Sequence, residues 1–205
     1  MAHLKVDAVD RDSSADKVEK ILQGAMQEFL KHGYSGTSMD KVAVAAGVSK
    51  ATVYSKFQDK EGLFKELIEQ LARKKFKILF GTEAPKGEPA TVLRQLGTKA
   101  LQQMATDQEH SAFMRVLIGE SGRFPELAQI CVRAMMKPVI ETLSQYLASH
   151  PELNIKDPEA VGAIMFGSLV HFHIVQDVMH GKEIIPIESD RVIDALTNLI
   201  VNSAE

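Results

Sequence analysis

The sequence lacks the features that mark disulfide-stabilised and membrane proteins. Its 205 residues include one cysteine, Cys131, so no disulfide can form within the chain, and a reducing, intracellular setting is predicted. Nowhere do eighteen apolar residues run together, which argues against a spanning helix. The first residues, MAHLKVDAVDRDSSADK, carry four aspartates and fit neither a secretory signal nor an anchor. We therefore predict a soluble, cytoplasmic protein without a membrane partner.

Catalytic signatures are missing as well. The chain has no G-x-S-x-G nucleophile elbow, no glycine-rich phosphate loop and no zinc-binding helix motif, and Cys131 has no histidine nearby in sequence. We predict that the protein is not an enzyme and uses no cofactor or metal. An enzyme built in the C-terminal half remains the alternative, which turnover assays would separate from a protein that binds without converting.

The charges are divided unevenly along the chain. Residues 17–77 hold 12 Lys or Arg against 7 Asp or Glu, whereas residues 78–205 hold 10 against 16. A basic front and an acidic back are typical of a chain that meets a polyanion at one end only. The imbalance supports nucleic-acid binding weakly when taken alone.

Hydrophobic spacing is helical almost throughout, so we predict an all-α fold of about nine helices. The first helix spans Asp16 to His32 and stops at Gly33. Further helices are expected near 90–106, 109–119, 124–149, 157–180 and 189–202, with Pro138 kinking or splitting the third of these. The segment Gly81 to Pro89, GTEAPKGEP, is the best linker candidate.

The stretch TSMDKVAVAAGVSKATVYSKF has the pattern of a helix-turn-helix. Two short helices are separated at Gly47, with Thr37 or Ser38 able to cap the first and Ser49 the second. The outward side chains of the second helix are hydrogen-bond donors, as a helix in the major groove requires. A packing corner between two helices is the alternative reading.

The longer stretch GYSGTSMDKVAVAAGVSKATVYSKFQDKEGLF closely resembles the DNA-binding signature of the TetR family of transcriptional regulators. The GY after helix one, the AGVS turn, the TVYSKF recognition helix and the DKEGLF start of helix four occur in the family's order. The resemblance implies a DNA-binding domain at 17–67 and a ligand-binding and dimerisation domain at 68–205. Residues 1–16 depart from relatives that carry a basic arm, since aspartates outnumber lysine and arginine there, and we predict a disordered arm. The run FMRVLIGESGRFPELAQI resembles one C-terminal subtype of the family.

The same resemblance implies which residues contact DNA. Thr52, Tyr54 and Lys60 match positions that grip phosphates, while Lys50, Ala51, Ser55 and Lys56 match positions that vary with the operator. Lys56 could donate to guanine O6 and N7, and the Ala51 methyl could touch a thymine methyl. The predicted DNA-binding residues are Thr37, Ser38, Ser49, Lys50, Ala51, Thr52, Tyr54, Ser55, Lys56 and Lys60.

In the second half, apolar and methionine-rich helices suggest a pocket for a small, mostly apolar organic ligand. The alternative for each such residue is plain core packing. A polar cluster around His173 and Asp177, with His180, could orient a ligand or, as a remoter alternative, bind a metal. The predicted ligand-binding residues are Met104, Phe113, Met114, Leu117, Met135, Phe166, His173, Gln176 and Asp177.

A homodimer is expected because one recognition helix gains little specificity, whereas a two-fold pair can read both halves of a pseudo-palindromic double-stranded operator. The last two helices carry more apolar faces than one core needs, which predicts the dimer seam. Its residues are Val161, Met165, Ser168, Leu169, Phe172, Val192, Leu196, Leu199 and Ile200.

These predictions combine into a ligand-responsive transcriptional regulator, most often a repressor in this family. The ligand would release the operator by favouring the conformation that does not bind DNA. A helix-turn-helix used for protein contact or for nucleoid architecture is the remaining alternative. Equal binding to all DNA sequences would favour that alternative.

Overall fold

The structure is a computed structural model that describes the backbone of residues 3–202 and the side chains of residues 15–202. The described residues form α-helices, short 3₁₀ and π-helical segments and loops, and they contain no β-strand. The α-helices are α1 (His3–Gly36), α2 (Met39–Ala45), α3 (Lys50–Lys56), α4 (Lys60–Phe80), α5 (Pro89–Thr106), α6 (Gln108–Glu120), α7 (Pro125–Cys131), α8 (Lys137–Ala148), α9 (Pro158–His173) and α10 (Ser189–Val201). This confirms the predicted all-α fold.

A π-helical segment, Val132–Met136, joins α7 to α8 in one uninterrupted run. Pro138 stands in the first turn of α8, directly after that segment. Because proline has no amide N–H, regular α-helical hydrogen bonding cannot pass through this point, and the chain changes its pitch there. Counting the run as one helix gives nine helices in the part of the chain that the structure describes.

Helix α1 begins earlier than predicted. It starts at His3, so the segment predicted as a disordered arm is helical from there to Asp16. The physical reason lies in the sequence, since neither proline nor glycine interrupts residues 3–23. The other end agrees with the prediction, because Gly33 has a positive φ of 67° and breaks the regular helix.

Packing divides the chain into two compact units that alternate along the sequence. The first unit contains the residues up to Leu71 and Ala112–Ile130, and the second contains Ala72–Ser111 and the residues from Cys131 onward. These units describe packing, whereas the predicted division at residues 67 and 68 is functional. That division stays a prediction.

An aromatic cluster forms the centre of the first unit. The Phe64 ring lies 5.3 Å from that of Phe29, 5.5 Å from that of Tyr34 and 5.5 Å from that of Phe113, measured between ring centroids. Phe124 extends the cluster at 5.0 Å from Tyr34. Edge-to-face and offset pairs of this kind add to the stabilisation from burial. They hold α1, α4 and α6 together behind the short helices α2 and α3.

The second unit has its own apolar core, built from α5, α8, α9 and α10. Its buried side chains include Leu93 and Leu147, which are almost completely inaccessible. The run Pro158–Val178 is the one described segment long and apolar enough to cross a membrane by length and composition, with 28% of its most apolar window buried. One side of α9 therefore belongs to the core while apolar residues remain on the other.

Candidate DNA-binding surface and regulatory unit

The turn between α2 and α3 has the geometry that a helix-turn-helix needs. Gly47 adopts a φ of 65°, which L side chains rarely adopt, although nothing lies within 4 Å of where its Cβ would stand. The Val48 amide donates to the Ala43 carbonyl at 3.0 Å and closes the turn. At Gly24 the reason for glycine is close approach, since a Cβ there would come within 2.8 Å of the Ala46 nitrogen. Glycine at these two positions lets α1, α2 and α3 meet.

Serine side chains cap both short helices, as the sequence predicts. The Ser38 hydroxyl accepts from the Lys41 amide at 3.3 Å, and the Ser49 hydroxyl accepts from the Thr52 amide at 3.1 Å. Ser49 and Thr52 also join their hydroxyls at 2.8 Å. These side chains therefore define where α2 and α3 begin, and they remain at the exposed or half-buried rim of the surface.

Helix α3 turns one side to the core and the other to solvent. Val53 is fully buried and Phe57 is buried at the end of the helix, where it acts as a core residue. Tyr54 is 52% exposed, and Lys50, Ala51, Ser55 and Lys56 are exposed too. The exposed set consists of the four side chains predicted to vary with the operator and of Tyr54, which is predicted to grip a phosphate. We call this exposed side of α3, together with its cap Ser49 and the exposed Ser38 and Asp40 at the start of α2, the reading face.

The fold brings a carboxylate to the reading face that the sequence analysis missed. Asp40 in the first turn of α2 forms an ion pair with Lys50, the first residue of α3, although ten positions separate them. The Gly47 turn brings the chain back so that the Lys50 side chain reaches the Asp40 carboxylate. The signal in sequence was the acidic residue two positions after the Ser38 cap, but its partner could not be inferred without the turn geometry.

Lys60 lies further inside than a phosphate-gripping lysine would. Its ammonium donates to the carbonyls of Tyr34, at 2.7 Å, and of Thr37, at 3.0 Å, and stands 4.3 Å from the Tyr34 ring centroid. Burial lowers the pKa of Lys60 and raises that of Tyr34 to about 12, so the tyrosine stays neutral. In this arrangement Lys60 ties the start of α4 to the segment after Gly33.

Thr37 is not placed to contact DNA, contrary to the prediction. Its side chain is buried, and its hydroxyl donates to the Gly33 carbonyl at 2.8 Å. A buried hydroxyl with an internal partner cannot reach a phosphate, so the Thr37 side chain does not belong among the DNA contacts. Its role is to close the end of α1.

The residues predicted to bind a ligand are divided between the two units. Phe113, Met114 and Leu117 belong to the first unit, where Phe113 is fully buried against Phe64. The others belong to the second unit. There Met104 and Phe166 pack against the core, and the Met135 sulfur lies 3.7 Å from that of Cys131. Burial raises the pKa of Cys131 to about 11, which keeps the thiol protonated and unreactive.

Gln176 and Asp177 line a cleft of about 370 Å³ in the second unit. Its walls come from α5, from the end of α9 and the segment that follows, and from the start of α10. Gln176 is buried and donates from its amide nitrogen to the Ile185 carbonyl at 2.8 Å. Pro138 does not line this cleft.

His173 and Asp177 pair with each other. His173 Nδ1 lies 2.8 Å from Asp177 Oδ2, its Nε2 lies 3.3 Å from the Ser111 hydroxyl, and Lys182 donates to Asp177 Oδ1 at 2.8 Å. Burial raises the pKa of Asp177, but the hydrogen bonds from Lys182 and His173 outweigh burial and lower it overall. His180 is exposed. No group of three potential metal-ligating side chains comes together anywhere in residues 15–202.

Two buried polar atoms at the junction of α5 and α6 have no hydrogen-bond partner. They are the Gln103 amide nitrogen, Nε2, and the His110 ring nitrogen, Nδ1. Burial, followed by the positive charge of Lys75, lowers the pKa of His110 to about 4, so its ring is neutral near pH 7. Buried polar atoms without partners are uncommon and each calls for an explanation. Neither Gln103 nor His110 is among the predicted site residues.

Several residues predicted for the dimer seam are core residues of a single chain. Met165, Leu169 and Ile200 are buried in the second unit. A side chain that is buried within its own chain has no surface left to contact a second copy. These three residues are therefore not dimer contacts. The sequence pattern marks apolar faces but not which of them the chain covers itself. The exposed side of α9 and α10 carries Ile164 and Leu199 instead, which are 62% and 69% exposed.

Two families match consecutive parts of this chain. Residues 21–67 match bacterial regulatory proteins of the tetR family, and residues 91–202 match the C-terminal domain of AefR-like transcriptional repressors. The second match alone covers more than half of the chain. The chain belongs to the TetR family of transcriptional regulators.

Among relatives in this family, the HTH-type transcriptional regulator YvkB of Bacillus subtilis (strain 168) is 25% identical over 89% of this chain and 94% of its own length. The HTH-type transcriptional regulator AcrR of Shigella flexneri is 28% identical over 55% of this chain and 53% of its own length. These relatives are transcriptional regulators. The helix-turn-helix described above is accordingly that of a DNA-binding regulator.

Solved TetR-family structures share the fold. The flavonoid-responsive regulator FrrA has a TM-score of 0.76 and 28% identity over 91% of this chain and 96% of that chain. A TetR-family regulator from Mesorhizobium loti MAFF303099 has a TM-score of 0.75 and 25% identity over 93% of this chain and 97% of that chain. Both likenesses extend over the helix-turn-helix and the helical region that follows it.

Proposed function

We propose that this TetR-family regulator is a cytoplasmic, sequence-specific repressor whose reading face enters the major groove. The observation that carries the proposal is the two-sided α3, with Val53 in the core and donors on the opposite side. The Tyr54 hydroxyl grips a phosphate, and Lys56 donates to a guanine edge. The remaining proposed contacts are Ser38, Ser49, Lys50, Ala51, Thr52 and Ser55. Although Lys60 matches a phosphate-gripping position of the family, it supports this surface from behind through the Tyr34 and Thr37 carbonyls.

Selection of bound duplexes from a random pool tests sequence reading directly. We expect a pseudo-palindromic duplex to emerge and to bind about a thousandfold or more tightly than a scrambled duplex of the same length. Placed upstream of a reporter gene, that duplex should lower expression when the protein is present. Equal binding to all duplexes would contradict the proposal and favour an architectural role.

The proposed signal is a small, mostly apolar organic molecule bound in the second unit. Gln103 Nε2 and His110 Nδ1 support this, because a ligand hydroxyl or carbonyl near them would satisfy groups that the chain leaves without partners. The likeness to a flavonoid-responsive regulator makes hydroxylated aromatic compounds the first class to test. A ligand that favours the unbound conformation by about 2.7 kcal/mol would weaken operator binding a hundredfold.

A panel of flavonoids and simpler phenols tests this ligand class. An active compound should raise the melting temperature of the protein and release the selected duplex over the same concentration range. Gln103→Met, which removes the amide at similar size, should blunt both effects and leave duplex binding without ligand intact. Gln145→Met on the exposed side of α8 is the matched control. Release by hydrophilic metabolites or divalent metals alone would contradict the proposal.

The proposed active form is a homodimer that covers the exposed apolar side of α9 and α10. Ile164 and Leu199 lie on that side, with Val161, Val192 and Leu196 half-buried beside it. The half-buried Ser168 and Phe172 remain predicted seam residues. Such apolar area on a regulator is more simply covered by a second copy than left to water. A two-fold pair would also place the recognition helices about 34–36 Å apart, or a multiple of that.

Sedimentation of charge-inserting variants tests the seam. Leu199→Glu and Ile164→Glu should each produce monomers that no longer bind the selected duplex. Ile184→Glu is the matched control, because Ile184 is also highly exposed but lies in the segment after α9. Variants at Ile164 and Leu199 that stay dimeric would place the seam elsewhere.

A further inference from the structure

The Asp40 and Lys50 pair is an unusual arrangement for a surface that meets a polyanion. Both side chains are more than half exposed, at 51% and 64%, so each is open to solvent on the reading face. Lys50 is also the first residue of α3, at the end of the helix where Ser49 provides the cap. A carboxylate at this place repels phosphates and, by itself, weakens DNA binding.

We propose that Asp40 is a specificity-determining residue that restrains Lys50, a role that rests on the proposed sequence reading. An ammonium has three donors, so Lys50 can keep one on Asp40 and present the others to a base edge. The carboxylate also offsets the charge that Lys50 would otherwise give to any phosphate within reach. Asp40 thereby lowers binding to all duplexes but lowers it less for the duplex whose base edge Lys50 reaches.

The physical basis is the difference between phosphate and base contacts. Phosphate contacts supply binding that is independent of sequence and depends steeply on salt, whereas base contacts supply discrimination. A flexible lysine without a partner serves the first kind of contact on every duplex. Pairing it with a carboxylate on a neighbouring helix narrows the positions that its ammonium visits, which favours the second kind.

A double-mutant cycle with Asp40→Asn and Lys50→Met tests this role. Binding is measured between 50 and 300 mM salt to the duplex selected by the wild-type protein and to a scrambled duplex of the same length. We expect Asp40→Asn to tighten scrambled-duplex binding about eightfold at 0.1 M salt and to steepen the salt slope by about 0.9, as one added phosphate contact would. The selected duplex should gain less, so the ratio of the two affinities falls. In the Lys50→Met background, Asp40→Asn should leave the ratio of the two affinities unchanged, because it then removes only a repulsion that is the same for both duplexes.

Two variants and one measurement separate this role from simpler ones. Asp40→Glu keeps the charge and should retain the wild-type ratio. Glu19→Gln removes one exposed carboxylate from α1 in the same unit and should leave the ratio unchanged. Asp40 can also stabilise the start of α2 through the helix dipole, an effect that melting temperature reports and that would not alter the salt slope.

Three results would overturn the role of Asp40. The first is an unchanged affinity ratio in Asp40→Asn, and the second is an equal change caused by Glu19→Gln. The third is a loss of selected-duplex binding that persists in the Lys50→Met background, which would mean that Asp40 itself contacts DNA. A wild-type protein with no preferred duplex would instead refute the proposed function, and this role with it.

Discussion

Polar groups are handled differently on the reading face and at the junction of α5 and α6. On the reading face, Ser38 and Ser49 satisfy backbone amides within three residues and remain accessible to solvent. At the α5 and α6 junction, atoms of Gln103 and His110 are buried and have no partner. The first arrangement carries no desolvation cost when DNA is absent. The second removes polar atoms from water without replacing their hydrogen bonds.

The difference corresponds to the two kinds of recognition that we propose for these regions. A surface that meets a large, regular polyanion can stay solvated until the duplex arrives, since the duplex brings its own phosphates and base edges. A site for a small organic molecule has to exclude water beforehand, and its few polar atoms orient the ligand.

The largest effect is expected from breaking the packing behind the reading face. Phe64→Ala removes a ring that touches Phe29, Tyr34 and Phe113, and should lower the free energy of unfolding by roughly 3–5 kcal/mol. Denaturant unfolding followed by circular dichroism measures the loss. Leu93→Ala in the core of the second unit is the comparison, with roughly 2–5 kcal/mol expected. A loss below about 1 kcal/mol for Phe64→Ala would show that the ring cluster does not hold the unit together.

The burial of His110 predicts that stability depends on pH. Its pKa is about 4 when folded and 6.5 as the ordinary value, so the unfolded chain takes up a proton first as pH falls. The free energy of unfolding is therefore highest above pH 6.5, and it falls by about 3 kcal/mol as the pH drops towards 4. Unfolding at several pH values should show this fall, and His110→Gln should flatten it.

The Lys60 ammonium is a partly buried polar group that lies behind the reading face and has internal partners. Lys60→Met removes the hydrogen bonds to the Tyr34 and Thr37 carbonyls and should lower the free energy of unfolding by about 1 kcal/mol. It should also weaken binding to the selected and the scrambled duplex alike. Lys65→Met, at an exposed lysine of the same helix, should be neutral for stability. A changed base preference in Lys60→Met would contradict a supporting role and place Lys60 among the readers.

The smallest effect is expected on the reading face itself. Tyr54→Phe removes one exposed hydroxyl, so the unfolding free energy should not change, while duplex binding should weaken by about 1 kcal/mol. Because no charge is lost, the salt slope should stay the same. Titration of both duplexes by fluorescence anisotropy measures this. A loss of stability of similar size would mean that Tyr54 is a packing residue.

Much of the first unit could be predicted from the sequence because its signals are local. Gly47, the Ser38 and Ser49 caps and the alternation of Val53 with exposed donors lie within a short stretch, and each acts on residues a few positions away. The helical extent of residues 3–16 was the exception. Charge was used there to predict disorder, whereas the absence of proline and glycine favoured a longer helix.

What the sequence determined by itself was the set of helices, the turn and the family, because these depend on spacing and on glycine, proline and capping residues at fixed positions. Tertiary structure decided which polar and apolar groups meet. It joined Asp40 to Lys50, turned Thr37 and Lys60 inward, left Gln103 and His110 with unpartnered atoms and covered Met165, Leu169 and Ile200 within one chain. Periodicity states only that a residue lies on an apolar or polar face. Which neighbour covers that face depends on contacts between segments far apart in sequence.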